Sequence, residues 1–194
     1  MHDKPPGIRR LCVAFGIEPS GERDGAERIS AQQRVAEAIA GVCTSLGLDR
    51  MLLNRSAEDG EQIGLLPVGI DEPRVVSSLV EGLSSALAEL DVPPGGGGPV
   101  RLRVAFHEGV TTLAADGFGG RAVSKVHELA GSPHLRAALD EHPSARLAVV
   151  LSDPVFEGVG HCDYPGLPAD QFQPVEIADA GPAPASTAWI YVPA

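Results

Sequence analysis

The chain has 194 residues, with 15 Lys and Arg against 26 Asp and Glu and a formal net charge of −11. That length fits one domain, 1–194, able to bury its own core without staples. An acidic balance of this size repels phosphate backbones and excludes general nucleic-acid binding, although a single nucleotide needs only local donors.

Residues 1–9 are polar and proline-bearing and are expected to form a flexible N-terminus. The apolar run 11–17 predicts a strand, ended by Pro19, Ser20 and Gly21. Ser30 and Gln33 have capping-box spacing, and Val35, Ala38, Ile39, Val42 and Leu46 then recur at helical intervals up to a stop at Gly47. Runs 51–55 and 63–66 predict two strands joined by a hairpin turn at Asp59-Gly60. A second helix begins near Asp71, with Pro73 in its first turn and a stripe of Val75, Val76, Leu79, Val80, Leu83, Leu87 and Leu90.

The glycine-rich segment 93–99 reads as a flexible surface loop. From 100 to 107 the pattern alternates, Val100, Leu102, Val104 and Phe106 against Arg101, Arg103 and His107, which predicts a half-buried strand with one polar face. Residues 110–114 are expected to pair with it. Ala122, Val123, Val126 and Leu129 mark a third helix, and Ser132-Pro133 opens a short fourth containing Leu135 and Leu139. Run 147–151 predicts a buried strand, followed by a helix start at Ser152-Asp153-Pro154. Strands over 173–177 and 188–192 flank a flexible proline-rich loop, 180–185. This order predicts an α+β sandwich: one mainly antiparallel sheet on a ferredoxin-like βαββαβ core, with helices on one face.

Cys12, Cys43 and Cys162 are odd in number and far apart, which fits reduced thiols better than a disulfide framework. Residues 1–10 do not have the character of a signal peptide, and no apolar run approaches the ~20 residues of a membrane span. A cytoplasmic protein with no membrane partner is expected.

The most specific stretch is Leu102-Arg103-Val104-Ala105-Phe106-His107-Glu108-Gly109, followed by Asp116-Gly117-Phe118-Gly119-Gly120-Arg121-Ala122-Val123-Ser124. It resembles the class III nucleotidyl (adenylate/guanylate) cyclase catalytic domain: a strand ending in a His-x-Gly turn, a hairpin, a glycine-rich turn, then a helix. Segments 11–21 and 54–67, and an ending with Phe172-Gln173-Pro174-Val175-Glu176 and Thr187-Ala188-Trp189-Ile190, extend the likeness over nearly the whole chain, toward a compact bacterial branch.

The resemblance implies two carboxylates, one per hairpin, holding Mg or Mn ions that activate the ribose 3′-hydroxyl and neutralise the triphosphate. It also implies an Asn and an Arg one helical turn apart, at a site shared across a homodimer. Carried over, the first carboxylate position is Gly16, which has no side chain; Glu18, two residues on and on the same strand face, is a substitute metal candidate. Aligning on Leu65-Leu66-Pro67 sets Gly60 at the second position. Sliding one residue sets Asp59 there as a metal candidate and Arg55 at the base-recognising position. The Asn position is Ser124 and the Arg position is Glu128, a charge reversal where losing one donor already costs ~10²–10³ in rate.

Outside the resemblance, His107 and Glu108 could be an acid–base pair or a structural turn. His161-Cys162-Asp163 lacks a second cluster to complete a metal site. Residues 117–120 lack the ending of a phosphate loop. Arg101, Arg103 and Arg121 could contact a nucleotide or be solvated, and Ser152 is expected to cap a helix. The expectation is therefore a catalytically degenerate cyclase-like domain with no cofactor. It would act in regulation, dimerisation or docking, as a homodimer or as a heterodimer with a related domain or effector. The alternative is a divergent purine nucleotide cyclase using Mg or Mn, or a nucleotide sensor, with Glu18, Arg55, Asp59, Arg103 and Arg121 as the binding residues.

Overall fold

The structure is a computed structural model. It describes residues 6–18, 25–48, 51–55, 61–90, 99–114, 117–160, 162, 164–178 and 185–193, with the backbone alone at 25–28, 52–55 and 114. The expected turn residues Asp59 and Gly60, and most of the loops 93–99 and 180–185, lie outside the described residues.

The first half of the chain runs β1 (Gly7–Glu18), α1 (Gly25–Ser45), β2 (Leu52–Arg55), β3 (Gln62–Leu65), α2 (Glu72–Glu89) and β4 (Arg101–Ala114). The second half adds β5 (Gly117–Gly119), α3 (Arg121–Ala130), α4 (Pro133–Glu141), β6 (Leu147–Ser152), α5 (Asp153–Val159), β7 (Gln173–Ile177) and β8 (Ser186–Tyr191). The strands form one sheet in the order β2-β3-β1-β4-β6-β8-β7, with β5 paired to β4. Among the described residues, only the β4–β6 pairing is parallel. The segment β2-β3-β1-β4, with α1 and α2 as crossovers, is the expected ferredoxin-like core.

Several local signals act as the sequence predicts. Asp71 accepts from the Arg74 amide at 3.3 Å and Ser132 from the Leu135 amide at 3.3 Å, each with a proline in the first turn. Gly47 ends α1 at φ 68°, with Leu48 N–H bonded to the Cys43 carbonyl and Gly47 N–H to the Thr44 carbonyl. That is the Schellman pattern, which satisfies the last helix carbonyls. The stripe Val76, Leu79, Val80, Leu83 and Leu87 of α2 is buried throughout. Each such side chain is worth about 1.5–3 kcal/mol relative to exposure.

Four expectations are corrected. Helices cover both faces of the sheet: α1, α2 and α5 pack on one around Phe15, Val104 and Phe106, and α3 and α4 on the other around Cys12, Ala14 and Ala105. The alternating face of β4 is therefore roofed by helices, and Arg103 is only 9% exposed. The parity is right, but parity does not say what covers a face.

Next, there is no turn at His107-Glu108-Gly109, since β4 runs unbroken from Arg101 to Ala114. Gly109 is required for another reason: a Cβ there would lie 2.9 Å from the Ala122 Cβ, so the glycine lets α3 approach the strand. Gly7, Ile8 and Arg9 belong to β1 and pair with Thr112, Thr111 and Val110, so the flexible N-terminus expected over 1–9 does not reach them. Finally, α1 begins at Gly25 rather than near Ser30, which lies exposed inside the helix. Ala26, Glu27 and Arg28 are good helix formers and extend it upstream.

Candidate functional site

β1 and β4 pair residue for residue, and the pairing sets Gly16 against Arg103 and Glu18 against Arg101. Strand alternation turns Gly16, Glu18, Arg101 and Arg103 toward α3 and α4, on the face shared with Cys12, Ala14 and Ala105. On the other side of β1, Phe15 pairs with Gln62 of β3. Extending that register one step sets Glu61 against Gly16. The vacancy left by the glycine side chain thus lies between a cation on one neighbouring strand and a carboxylate on the other.

Arg103 fills that vacancy. A Cβ built on Gly16 would lie 3.1 Å from Arg103 Nη2 and 3.3 Å from Cζ, closer than ordinary van der Waals contact. Nη1 donates to the carbonyl of Ala130, the last residue of α3, where the helix dipole is negative. Nε lies 3.6 Å from Glu18 Oε2. That separation gives a Coulombic contact without a directional bond, and both atoms are buried with no hydrogen-bond partner. Burial is the main effect lowering the Arg103 pKa; Glu18 and Glu61 oppose it and Arg136 adds to it. A guanidinium remains charged at neutral pH regardless.

Glu61 is 8% exposed and meets His127 of α3, Oε2 to Nδ1, at 2.5 Å. Arg101 is committed in the same way as Arg103. It donates to the Leu139 carbonyl at the end of α4 at 3.0 Å and to Asp140 at 2.9 Å. Sequence reasoning missed Glu61 and His127. The usable signals were local: Glu61 shares the strand parity of Ile63, and His127 stands one turn after Ser124.

The remaining sequence-derived residues are dispersed. Ser124 is exposed and Glu128 half-exposed on α3, opposite its buried stripe of Ala122, Val126 and Leu129, so they face away from their own chain's Gly16. Arg121 is exposed at the first position of α3. Arg55 ends β2 opposite Gln62, and its side chain lies outside the described residues. Asp59 and Gly60 lie outside them as well, as do His161 and Asp163. Cys162 is exposed, and among the described residues no group of three His, Cys, Asp or Glu could hold a metal ion.

His107 and Glu108 point to opposite faces and are separately engaged. His107 Nδ1 lies 2.9 Å from Ser152 Oγ, whereas Glu108 takes a forked pair of bonds from Arg9 at 2.6 and 3.1 Å. Ser152 occupies the N-cap position of α5, but its hydroxyl makes no cap bond. Glu72, at the start of α2, has its carboxyl pushed up by burial and by Glu108, against the pull of Arg9. Among the described residues, no helix is long and apolar enough to cross a membrane.

No protein-family model and no curated protein matches the sequence. Solved structures do match. An adenylate/guanylate cyclase/hydrolase from Silicibacter pomeroyi superposes with a TM-score of 0.65 at 16% identity, over 97% of this chain and 100% of that one. The guanylate cyclase domain of RhGC from Catenaria anguillulae, solved in complex with GTP, gives a TM-score of 0.64 at 10% identity over 96% and 98%. The adenylyl cyclase CyaB from P. aeruginosa gives 0.55 at 12% identity over 95% of each chain. The strand order, the crossovers and these superpositions agree: the chain has the fold of the class III adenylate/guanylate cyclase domains.

Proposed function

We propose that this chain is a catalytically silent cyclase-fold domain that acts by association, pairing with a second copy or with a related domain. The observation that carries the reading is the Arg103 guanidinium in front of Gly16. The divalent ions that the resemblance implies do not fit the residues present. Position 16 offers no ligand, Glu18 faces a buried cation at 3.6 Å, and Glu61 is bonded to His127. At about 4 Å and an effective dielectric near 20, two unit charges interact by about 4 kcal/mol. A divalent ion beside Arg103 would therefore be repelled by about twice that before any attraction from Glu18 is counted. On α3, Ser124 and Glu128 offer a partner chain a hydroxyl and a carboxylate, where phosphoryl chemistry calls for a cation.

The test is incubation of the purified protein with ATP or GTP and Mg²⁺ or Mn²⁺, with product analysis by mass spectrometry. No cyclic nucleotide above the protein-free control is expected, together with dimers in sedimentation at micromolar concentration. Cyclic product that disappears in Asp59→Ala would establish the divergent-cyclase alternative instead. The exposed Arg121 at the start of α3 favours a sensor as the second reading. A ligand at 100 times its Kd would then add about 2.7 kcal/mol of stability, and melting curves with ATP, GTP and their cyclic forms would reveal it.

A further inference from the structure

Two carboxylates lie near Gly16 and act on the Arg103 charge: Glu18 two residues on along β1, and Glu61 just before β3. Glu61 is buried and Glu18 is mostly so. Glu61 has His127 at 2.5 Å, whereas Glu18, in a site roofed by α3 and α4, needs a counter-charge of its own. The chain supplies that charge from the opposite neighbour, because Arg103 pairs directly with Gly16. Its guanidinium occupies the space a side chain at 16 would need and reaches Glu18 on one side and the Ala130 carbonyl on the other.

We propose that Arg103 is a resident cation: it holds the place that the resemblance assigns to a divalent ion, faces Glu18 across it, and so keeps such an ion out. A side chain at 16 would have to push the guanidinium aside, since its Cβ alone would lie 3.1 Å from Nη2, so the glycine and the arginine form one arrangement. This inference rests on the reading that the chain does not turn nucleotide over, but its test reads stability and ion binding rather than activity.

Melting temperatures of the full chain are measured in EDTA and across a Mn²⁺ titration, with Mn²⁺ binding followed in parallel by electron paramagnetic resonance. The wild type is expected to melt at the same temperature throughout and to leave Mn²⁺ free. Arg103→Met removes the charge, and Arg103→Gln removes it while keeping a donor for the Ala130 carbonyl. Both are expected to melt several degrees lower in EDTA and to recover part of the loss as Mn²⁺ takes the vacated position. A wild type that binds Mn²⁺ or is stabilised by it overturns the proposal. So do variants as stable as the wild type, or variants that lose stability and ignore Mn²⁺. The wild-type titration decides by itself if neither variant folds. A wild type that binds Mn²⁺ yet yields no cyclic product would sink the resident cation while leaving the silent-domain reading in place.

Discussion

The two faces of the sheet are built on different principles. Under α1, α2 and α5 the strands present Leu11, Phe15, Leu102 and Phe106, and the helices answer with Ile39, Leu79, Leu83 and Leu87. Under α3 and α4 the same strands present Cys12, Ala14, Ala105 and Ala148, and toward one end they carry Glu18, Arg101 and Arg103. Large interlocking side chains make the first face a store of burial energy. Small ones let two helices come close on the second, and the space left over is occupied by charge. The larger core and the candidate site thus lie on opposite sides of one layer of backbone.

The sharpest way to break this contrast is Phe15→Ala. Phe15 is fully buried on the large-residue side, and its truncation is expected to cost about 3–5 kcal/mol in urea unfolding. A loss well under that figure would mean the two faces bear comparable loads. A smaller effect, about 1–2 kcal/mol, is expected for Arg101→Ala by the same measurement, because one carbonyl bond at the end of α4 and one ion pair with Asp140 are lost.

A third effect is a matter of pH. Burial pushes the Cys12 thiol from 9.0 up to about 12. A pKa raised by folding contributes stability that is complete below pH 9 and declines as the pH rises toward 12, because the unfolded chain ionises first. The stability gap between wild type and Cys12→Ala should therefore narrow between about pH 8 and about pH 10.5. A gap that stays constant would show that the thiol does not report a dry environment.

Much of this was legible in the chain itself. The helical stripe of α2, the caps at Asp71 and Ser132 and the Schellman end at Gly47 are local grammar, written within a few residues of where they act. The alternation in β4 correctly set Arg101, Arg103 and His107 on one side. Their surroundings were not legible, because α3 and α4 return over that side from more than a dozen residues downstream. Gly109 was ambiguous for a similar reason: a glycine needed for close approach of a helix and a glycine needed for a turn look alike in sequence. At the site, the glycine at 16 was readable as a missing ligand. That Arg103 fills it depends on strand register, which is a property of the pairing and not of either segment alone. Glu61 was missed because its partner, His127, belongs to a helix in the other half of the chain.

The interlock at Gly16 also bears on how the sequence can change. A carboxylate introduced at 16 alone would meet the guanidinium and be neutralised by it. Removal of Arg103 alone would take away the cation that faces Glu18 at 3.6 Å, while Glu61 keeps His127. What either step does depends on the residue at the other position, so the two are expected to be non-additive. The outcome of a substitution at 16 therefore depends on whether Arg103 is still there to meet it.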